Sequence, residues 1–166
     1  MSEVSLRWAL QIHGGAGAMV RGALSPDLEA ATLAALRLAL DAGARILERG
    51  GSSLDAVEAA VIALENDPHF NAGHGAVFTA DGTNELDAAI MEGQARRAGA
   101  VAGVTRSRNP VSVARAVMES SPHVLLAGEG ADRFAKEAGL EQVEPTYFRT
   151  EERWQQLEAM KAAGDG

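Results

Sequence analysis

Glycine-flanked polar residues mark three places where this chain could do chemistry. In His13-Gly14-Gly15-Ala16-Gly17 the glycines admit positive φ and leave no Cβ in the way, so successive backbone N–H groups can face one concavity. That arrangement suits an anion or an oxyanion, and equally a tight strand-to-loop turn. It is not a dinucleotide fingerprint, because Val20 stands at the third glycine position. Leu64-Glu65-Asn66-Asp67-Pro68-His69-Phe70-Asn71-Ala72-Gly73-His74-Gly75 is the most informative stretch. The preceding helix ends in orphan carbonyls and a negative dipole end, and the irregular loop offers more carbonyls, a setting for a hard cation. A transition-metal site on His69, His74, Glu85 and Asp87 is the rival. It is disfavoured because two histidines five apart in a glycine loop lack the geometry of a helical pair. Asn71 is a polar side chain amid small residues, aimed at a ligand or forming a turn. Glu85 and Asp87 share a strand face, as a glycosidase-like pair would, but read as an exposed face. In Gly128-Glu129-Gly130-Ala131-Asp132-Arg133, Arg133 occupies the third glycine position of a phosphate loop, which leaves a plain strand–turn–helix connection. No Gly-x-Ser-x-Gly, His-Glu-x-x-His, Walker lysine motif or Ser-x-x-Lys is present. The chain has binding loops and no evident nucleophile.

The elements that must position these loops follow from periodicity. Trp8, Leu10 and Ile12 alternate with Ala9 and Gln11, predicting a strand that runs into the first glycine loop. Ser25-Pro26-Asp27 starts a helix that Gly50-Gly51 ends. Ser52 and Asp55 form a variant capping box for a second helix, with Leu54, Val57, Val61 and Leu64 on one stripe and Pro68 as its stop. Ala76–Thr79 and Glu85–Met91 about an Asp81-Gly82 turn predict a β-hairpin. Arg97–Val104 is expected to be a third, buried strand. Asn109-Pro110 is expected to cap a helix, Val124–Ala127 to form a short strand, and Ala131–Ala138 a helix closed by Gly139. Thr150 is expected to cap a last charged helix to about Met160, leaving 161–166 as a flexible linker. Paired helices and clustered strands read as α+β layers, with a sheet that looks unfinished after Ala127.

Composition narrows the classes. With 15 Lys+Arg against 23 Asp+Glu the formal charge is −8, which disfavours nucleic acid as a partner. Zero cysteines exclude a disulfide scaffold, a thiol nucleophile and Cys-ligated metals. Aromatics make up only 4% of residues, so the core must be built from Ala, Val, Leu and Ile. No apolar run approaches the roughly 18 residues of a membrane span. No membrane association and a cytoplasmic location are expected.

Four ordered stretches make the chain resemble the α subunit of the plant-type L-asparaginase and isoaspartyl peptidase family of N-terminal-nucleophile hydrolases. They are Ile12-His13-Gly14-Gly15-Ala16-Gly17-Ala18, Gly50-Gly51-Ser52-Ser53-Leu54-Asp55-Ala56-Val57, Phe70-Asn71-Ala72-Gly73-His74-Gly75-Ala76-Val77-Phe78-Thr79, and Glu85-Leu86-Asp87-Ala88-Ala89-Ile90-Met91. The likeness continues through Ser121–Gly128. The resemblance implies a precursor that cleaves itself before a threonine, whose hydroxyl then attacks an amide with its own α-amino group as base. It implies that 1–166 is an α subunit, half of a composite four-layer αββα sandwich completed by a separate β chain that begins with Thr, in an (αβ)₂ assembly. The substrates implied are small molecules, isoaspartyl dipeptides and L-asparagine, and no organic cofactor is implied. Gly15 and Asn71 match positions lining the active site. The loop of His13, Gly14, Gly15 and Gly17 matches one that steers autocleavage, with Gly166 on the acyl side of the scissile bond. Main-chain carbonyls of Leu64, Glu65, Asp67, Phe70, Ala72 and His74 match those of a loop that holds a structural sodium ion. Asp67, His69 and His74 depart from the more apolar or neutral residues of that pattern. Two alternatives stand beside this reading. One is a glycosylasparaginase- or taspase-like relative; the other is a non-catalytic anion- or nucleotide-binding module using Gly14–Gly17 and Gly128–Gly130.

Overall fold

The computed structural model describes residues 8–15 and 25–164, an α+β arrangement of five helices and a three-stranded sheet among them. Helix α1 spans Pro26–Glu48; the Ser25 side chain accepts from Leu28 N at 3.3 Å, Pro26 needs no amide partner, and Asp27 and Glu29 complement the dipole. Helix α2 spans Ser53–Glu65. Its capping box is a variant: Ser52 Oγ accepts from Asp55 N at 3.1 Å, and the Asp55 carboxylate accepts from the same hydroxyl at 2.7 Å. The helix ends at Glu65 with Asn66 as its cap, two residues before Pro68, which cannot continue it. Helices α1 and α2 approach closely at Gly43, where a Cβ would sit 2.7 Å from the Ala56 carbonyl oxygen.

Strands β1 (Leu86–Glu92) and β2 (Arg97–Val104) pair antiparallel, and β3 (Leu125–Ala127) joins β2 in parallel, giving the order β1-β2-β3. The hairpin is therefore β1–β2. The pairing of Ala76–Thr79 with Glu85–Met91 that the Asp81-Gly82 turn predicts does not form. That turn closes on itself instead, Thr79 N donating to Thr83 O at 2.7 Å and Gly82 N to Thr79 O at 3.0 Å. The Asn84 amide also donates to the carbonyls of Ala76 and Val77, the groups a ladder would have used. Trp8–Ile12 likewise has no ladder partner among the described residues. Alternation requires only one buried face, and here Leu10 lies against Gly43 of α1, while Ile12 borders a small cavity with Val57 and Val61 of α2.

Helix α3 (Pro110–Ser120) covers one face of the sheet. Leu86 and Ile90 of β1, Val101 and Val104 of β2 and Val113, Ala114 and Val117 of α3 are buried together, an aliphatic core as the scarcity of aromatics requires. Asn109 is the N-cap residue of α3, ahead of Pro110 as expected, but its side chain makes no capping bond. Its amide donates to Glu65 Oε2 at 3.0 Å, and Glu65 Oε1 accepts the helix's own Val111 N–H at 2.9 Å, so a carboxylate from the end of α2 does the capping. Burial pushes the Glu65 carboxyl up to about 7, against the Val111 and Asn109 hydrogen bonds, which hold it down. Replacing it removes the acceptor for two donors in the interior: Glu65→Leu is expected to lower unfolding stability by about 2–4 kcal/mol. Denaturant unfolding of the whole protein checks this, and a loss under about 1 kcal/mol would show that the capping bonds contribute little.

Helix α4 (Gly128–Glu137) begins three residues before the expected start. Its buried Asp132 accepts from Thr105 N, Thr105 Oγ1, Arg106 N and Ser107 Oγ at 3.0–3.4 Å, tying down the chain that leaves β2. Helix α5 (Glu151–Ala163) is capped by Thr150 Oγ1, which accepts from Arg153 N at 3.3 Å. It continues past Met160 to Ala163 and is closed by Gly164 at φ 78°, so residues 161–163 of the expected linker are helical and 165–166 lie outside the described residues. No helix among the described residues is long and apolar enough to cross a membrane.

The other face of the sheet has no layer over it among the described residues. Asp87, Ala89 and Met91 alternate outward on β1, Ala98, Ala100 and Ala102 on β2, and Leu125 and Ala127 on β3. Met91 is 62% exposed and Leu125 55%. The alanines between Met91 and Leu125 leave room for close approach of a second sheet.

Candidate active site

The loop between α2 and β1 is built around two residues without a Cβ. Gly73 adopts φ 50°, and a Cβ there would overlap the Glu65 carbonyl; a Cβ at Gly75 would overlap the Phe70 carbonyl and lie 2.6 Å from the Pro68 oxygen. The chain therefore folds its carbonyls inward against bare backbone. Asp67 N donates to Leu64 O at 3.2 Å, Phe70 N to Asp67 O at 3.4 Å and Gly75 N to Ala72 O at 3.1 Å, each leaving a second lone pair on the acceptor. No backbone amide of the described residues donates to Glu65 O, Phe70 O or His74 O outside the helices and strands.

The three polar departures in this loop each have a structural engagement. Asp67 Oδ1 accepts from His69 N at 3.0 Å and lies 2.6 Å from His69 Nδ1. His74 Nδ1 donates to Tyr147 O at 2.7 Å with its ring tilted on Tyr147 at 5.0 Å, tying the loop to the short 3₁₀ turn Pro145–Phe148. Arg153 of α5 adds a further tie, Nε donating to Gly75 O at 2.9 Å. No group of three or more His, Asp or Glu able to hold a metal occurs among the described residues, and the His69, His74, Glu85, Asp87 constellation does not assemble.

Residues distant in sequence then meet in one cleft of about 700 Å³. His13, Gly14 and Gly15 form one wall, and His69, Phe70, Asn71 and Ala72 another, so the two glycine loops singled out in the sequence face a common space. Gly14 is wedged beside Leu36 and Phe70, whereas Gly15, at φ 129°, has nothing within 4 Å of where a Cβ would be. Gly15 N donates to His13 Nδ1 at 3.3 Å. Asn71 Oδ1 accepts from Val77 N at 3.0 Å, which fixes the amide plane and leaves its NH₂ donors for other partners. Gly17 and Gly166 lie outside the described residues. The one side-chain hydroxyl at the cleft among the described residues, Thr32 Oγ1, donates back to Leu28 O in α1 at 2.8 Å and is not poised as a nucleophile.

Sequence reasoning missed the α5 side of the cleft. Glu152 and Arg153 line it, 81 and 82 residues from Asn71 along the chain, and no local pattern signals that approach. Gly128–Gly130 does not join the cleft.

The chain is similar to known proteins over most of its length. The family profile described as asparaginase matches residues 6–166. An isoaspartyl peptidase of Salmonella typhimurium is 51% identical over 156 residues, covering 94% of this chain and 50% of that protein. The isoaspartyl peptidase of Escherichia coli is 51% identical over 155 residues, 93% of this chain and 48% of that protein. A plant-type L-asparaginase of Pyrococcus abyssi is 46% identical over 157 residues, 95% and 50% respectively. The chain thus spans about half the length of the curated relatives it matches.

Proposed function

We propose that this chain, which belongs to the asparaginase family, contributes the α subunit of an amidohydrolase acting on isoaspartyl dipeptides and L-asparagine. The observation that carries the reading is the convergence of His13–Gly15 and Asn71 on one cleft. Relatives named isoaspartyl peptidase and plant-type L-asparaginase at about half identity support the substrate class.

In this reading the nucleophile is a threonine at the head of a separate β chain from the same precursor. Its hydroxyl attacks the side-chain carbonyl, its own α-amino group takes the proton, the amine leaves, and water releases aspartate from the ester. The α chain supplies the floor: Asn71 offers fixed amide donors, and the Gly14–Gly15 backbone lets ligand atoms approach closely. The bare sheet face supports the four-layer αββα sandwich, a second sheet from the β chain covering Ala89, Ala100 and Leu125, and two such αβ units form an (αβ)₂ assembly. A cytoplasmic setting suits a chain without cysteine.

The α2–β1 loop fits a hard monovalent cation, because the Glu65, Phe70 and His74 carbonyls accept no backbone amide outside the helices and strands among the described residues, while Gly73 and Gly75 let the carbonyl-bearing backbone approach closely. Leu64, Glu65, Asp67, Phe70, Ala72 and His74 would hold sodium through main-chain oxygens, and its role there is structural. Exchanging sodium for caesium is expected to lower the thermal midpoint; saturation at a hundredfold over Kd corresponds to about 2.7 kcal/mol. An unchanged midpoint and rate would remove the ion from the loop.

Expression of the full precursor tests the main reading. Purification is expected to yield two chains, the second beginning with threonine by N-terminal sequencing, and release of ammonia from L-asparagine and of leucine from β-aspartyl-leucine. A single uncleaved chain that hydrolyses neither substrate would overturn it.

A further inference from the structure

Arg153 brings an unpaired charge to the cleft. Its Nε donates to Gly75 O and its Nη1 to Gln156 Oε1, both at 2.9 Å, which uses two of the five N–H donors of the guanidinium. Arg97, Arg106, Arg108 and Arg115 each have a carboxylate within ion-pair distance, and among the described residues Arg153 has none. The two anchors and the capped first turn of α5 fix the plane of the group. The other charged or titratable side chains on the cleft are Glu152, which accepts from Gln156 Nε2 at 3.4 Å, His13, and His69 held by Asp67. A rigid, partly buried guanidinium with three uncommitted N–H groups is suited to a planar carboxylate.

The substrates of the proposed amidohydrolase differ in the group such a site would read. L-Asparagine loses ammonia. A β-aspartyl dipeptide loses an amino acid that carries its own α-carboxylate. We propose that Arg153 forms a carboxylate subsite for the leaving amino acid, so that the α subunit tilts specificity toward β-aspartyl peptides; this rests on the amidohydrolase reading above.

The test is steady-state kinetics of the complete enzyme on β-aspartyl-leucine, the same dipeptide with its C-terminal carboxylate amidated, and L-asparagine. The parent enzyme is expected to favour the free acid over the amide in kcat/KM by about tenfold or more, through KM. Arg153→Gln is expected to abolish that preference, and Arg153→Lys to restore part of it. Loosening of the Gly75 loop by loss of the Nε bond would reduce all three substrates alike and cancel in the ratio. A parent enzyme indifferent to the carboxylate, or an Arg153→Gln enzyme that keeps the preference, overturns the subsite. If Arg153→Gln does not fold, the parent comparison of acid and amide and the Arg153→Lys ratio still decide. Failure of the parent to hydrolyse any of the three would instead overturn the amidohydrolase reading.

Discussion

Asn71→Asp is expected to lower kcat/KM on L-asparagine about 100-fold or more while leaving the fold intact. The substitution separates the two things this side chain can do. Oδ1 braces the loop by accepting the Val77 N–H at 3.0 Å, and an aspartate oxygen can accept the same bond. Only the NH₂ donors are lost, and these are the atoms available to a ligand in the cleft. Asn71→Ala removes both, and should add a stability loss of about 1 kcal/mol from the broken Val77 bond to a comparable loss of activity. Thermal unfolding measured beside the kinetics distinguishes the roles. If Asn71→Asp retains the activity of the parent while Asn71→Ala is both unstable and slow, Asn71 is a turn brace and the cleft must find its donors elsewhere.

Gly73→Ala is expected to cost several kcal/mol and to remove activity with it. The backbone at φ 50° carries a strain of about 1–2 kcal/mol for a residue with a Cβ. The larger effect is that this Cβ would overlap the Glu65 carbonyl and lie 2.9 Å from its Cα, backbone atoms that cannot rotate away. Relief would require the loop to move from the end of α2, and Asn71 travels with it. Gly75→Ala meets the Phe70 and Pro68 carbonyls in the same way. Gly14→Ala is the contrast: its closest neighbour is the flexible end of Leu36 at 2.8 Å, so a milder effect is expected there. Denaturant unfolding of the three variants gives the ranking, and a Gly73→Ala protein as stable as Gly14→Ala would show that the carbonyl cradle is not rigid.

The helices were readable because their signals are local. Ser25 before Pro26, Ser52 with Asp55 and Thr150 with Arg153 all act within one turn, and each forms the capping bond expected of it. The strands were less so. Arg97–Val104 and Val124–Ala127 stand out by their apolar runs, but Asp81-Gly82 points to the wrong partner for Glu85–Met91, because it makes a turn whether or not a ladder follows. The competing donors of Asn84 to Ala76 and Val77 leave no such ladder to form. Asn109 reads as a cap by residue type, yet its amide turns to Glu65, a carboxylate 44 positions earlier.

Two glycine loops, Asn71 and the order of four motifs are present in the amino-acid string and point to the asparaginase family, since residue type and short spacing set both turn chemistry and family likeness. The string did not contain the cleft. Its third wall, Glu152 and Arg153, and the tie from Arg153 to Gly75 arise because α5 packs back across the α2–β1 loop. The inward carbonyls of Glu65 and Phe70 likewise depend on close backbone approach at Gly73 and Gly75. Caps and turns are settled by atoms within a few bonds, whereas a binding surface is settled by which buried faces meet, and that choice belongs to the packing of the whole chain.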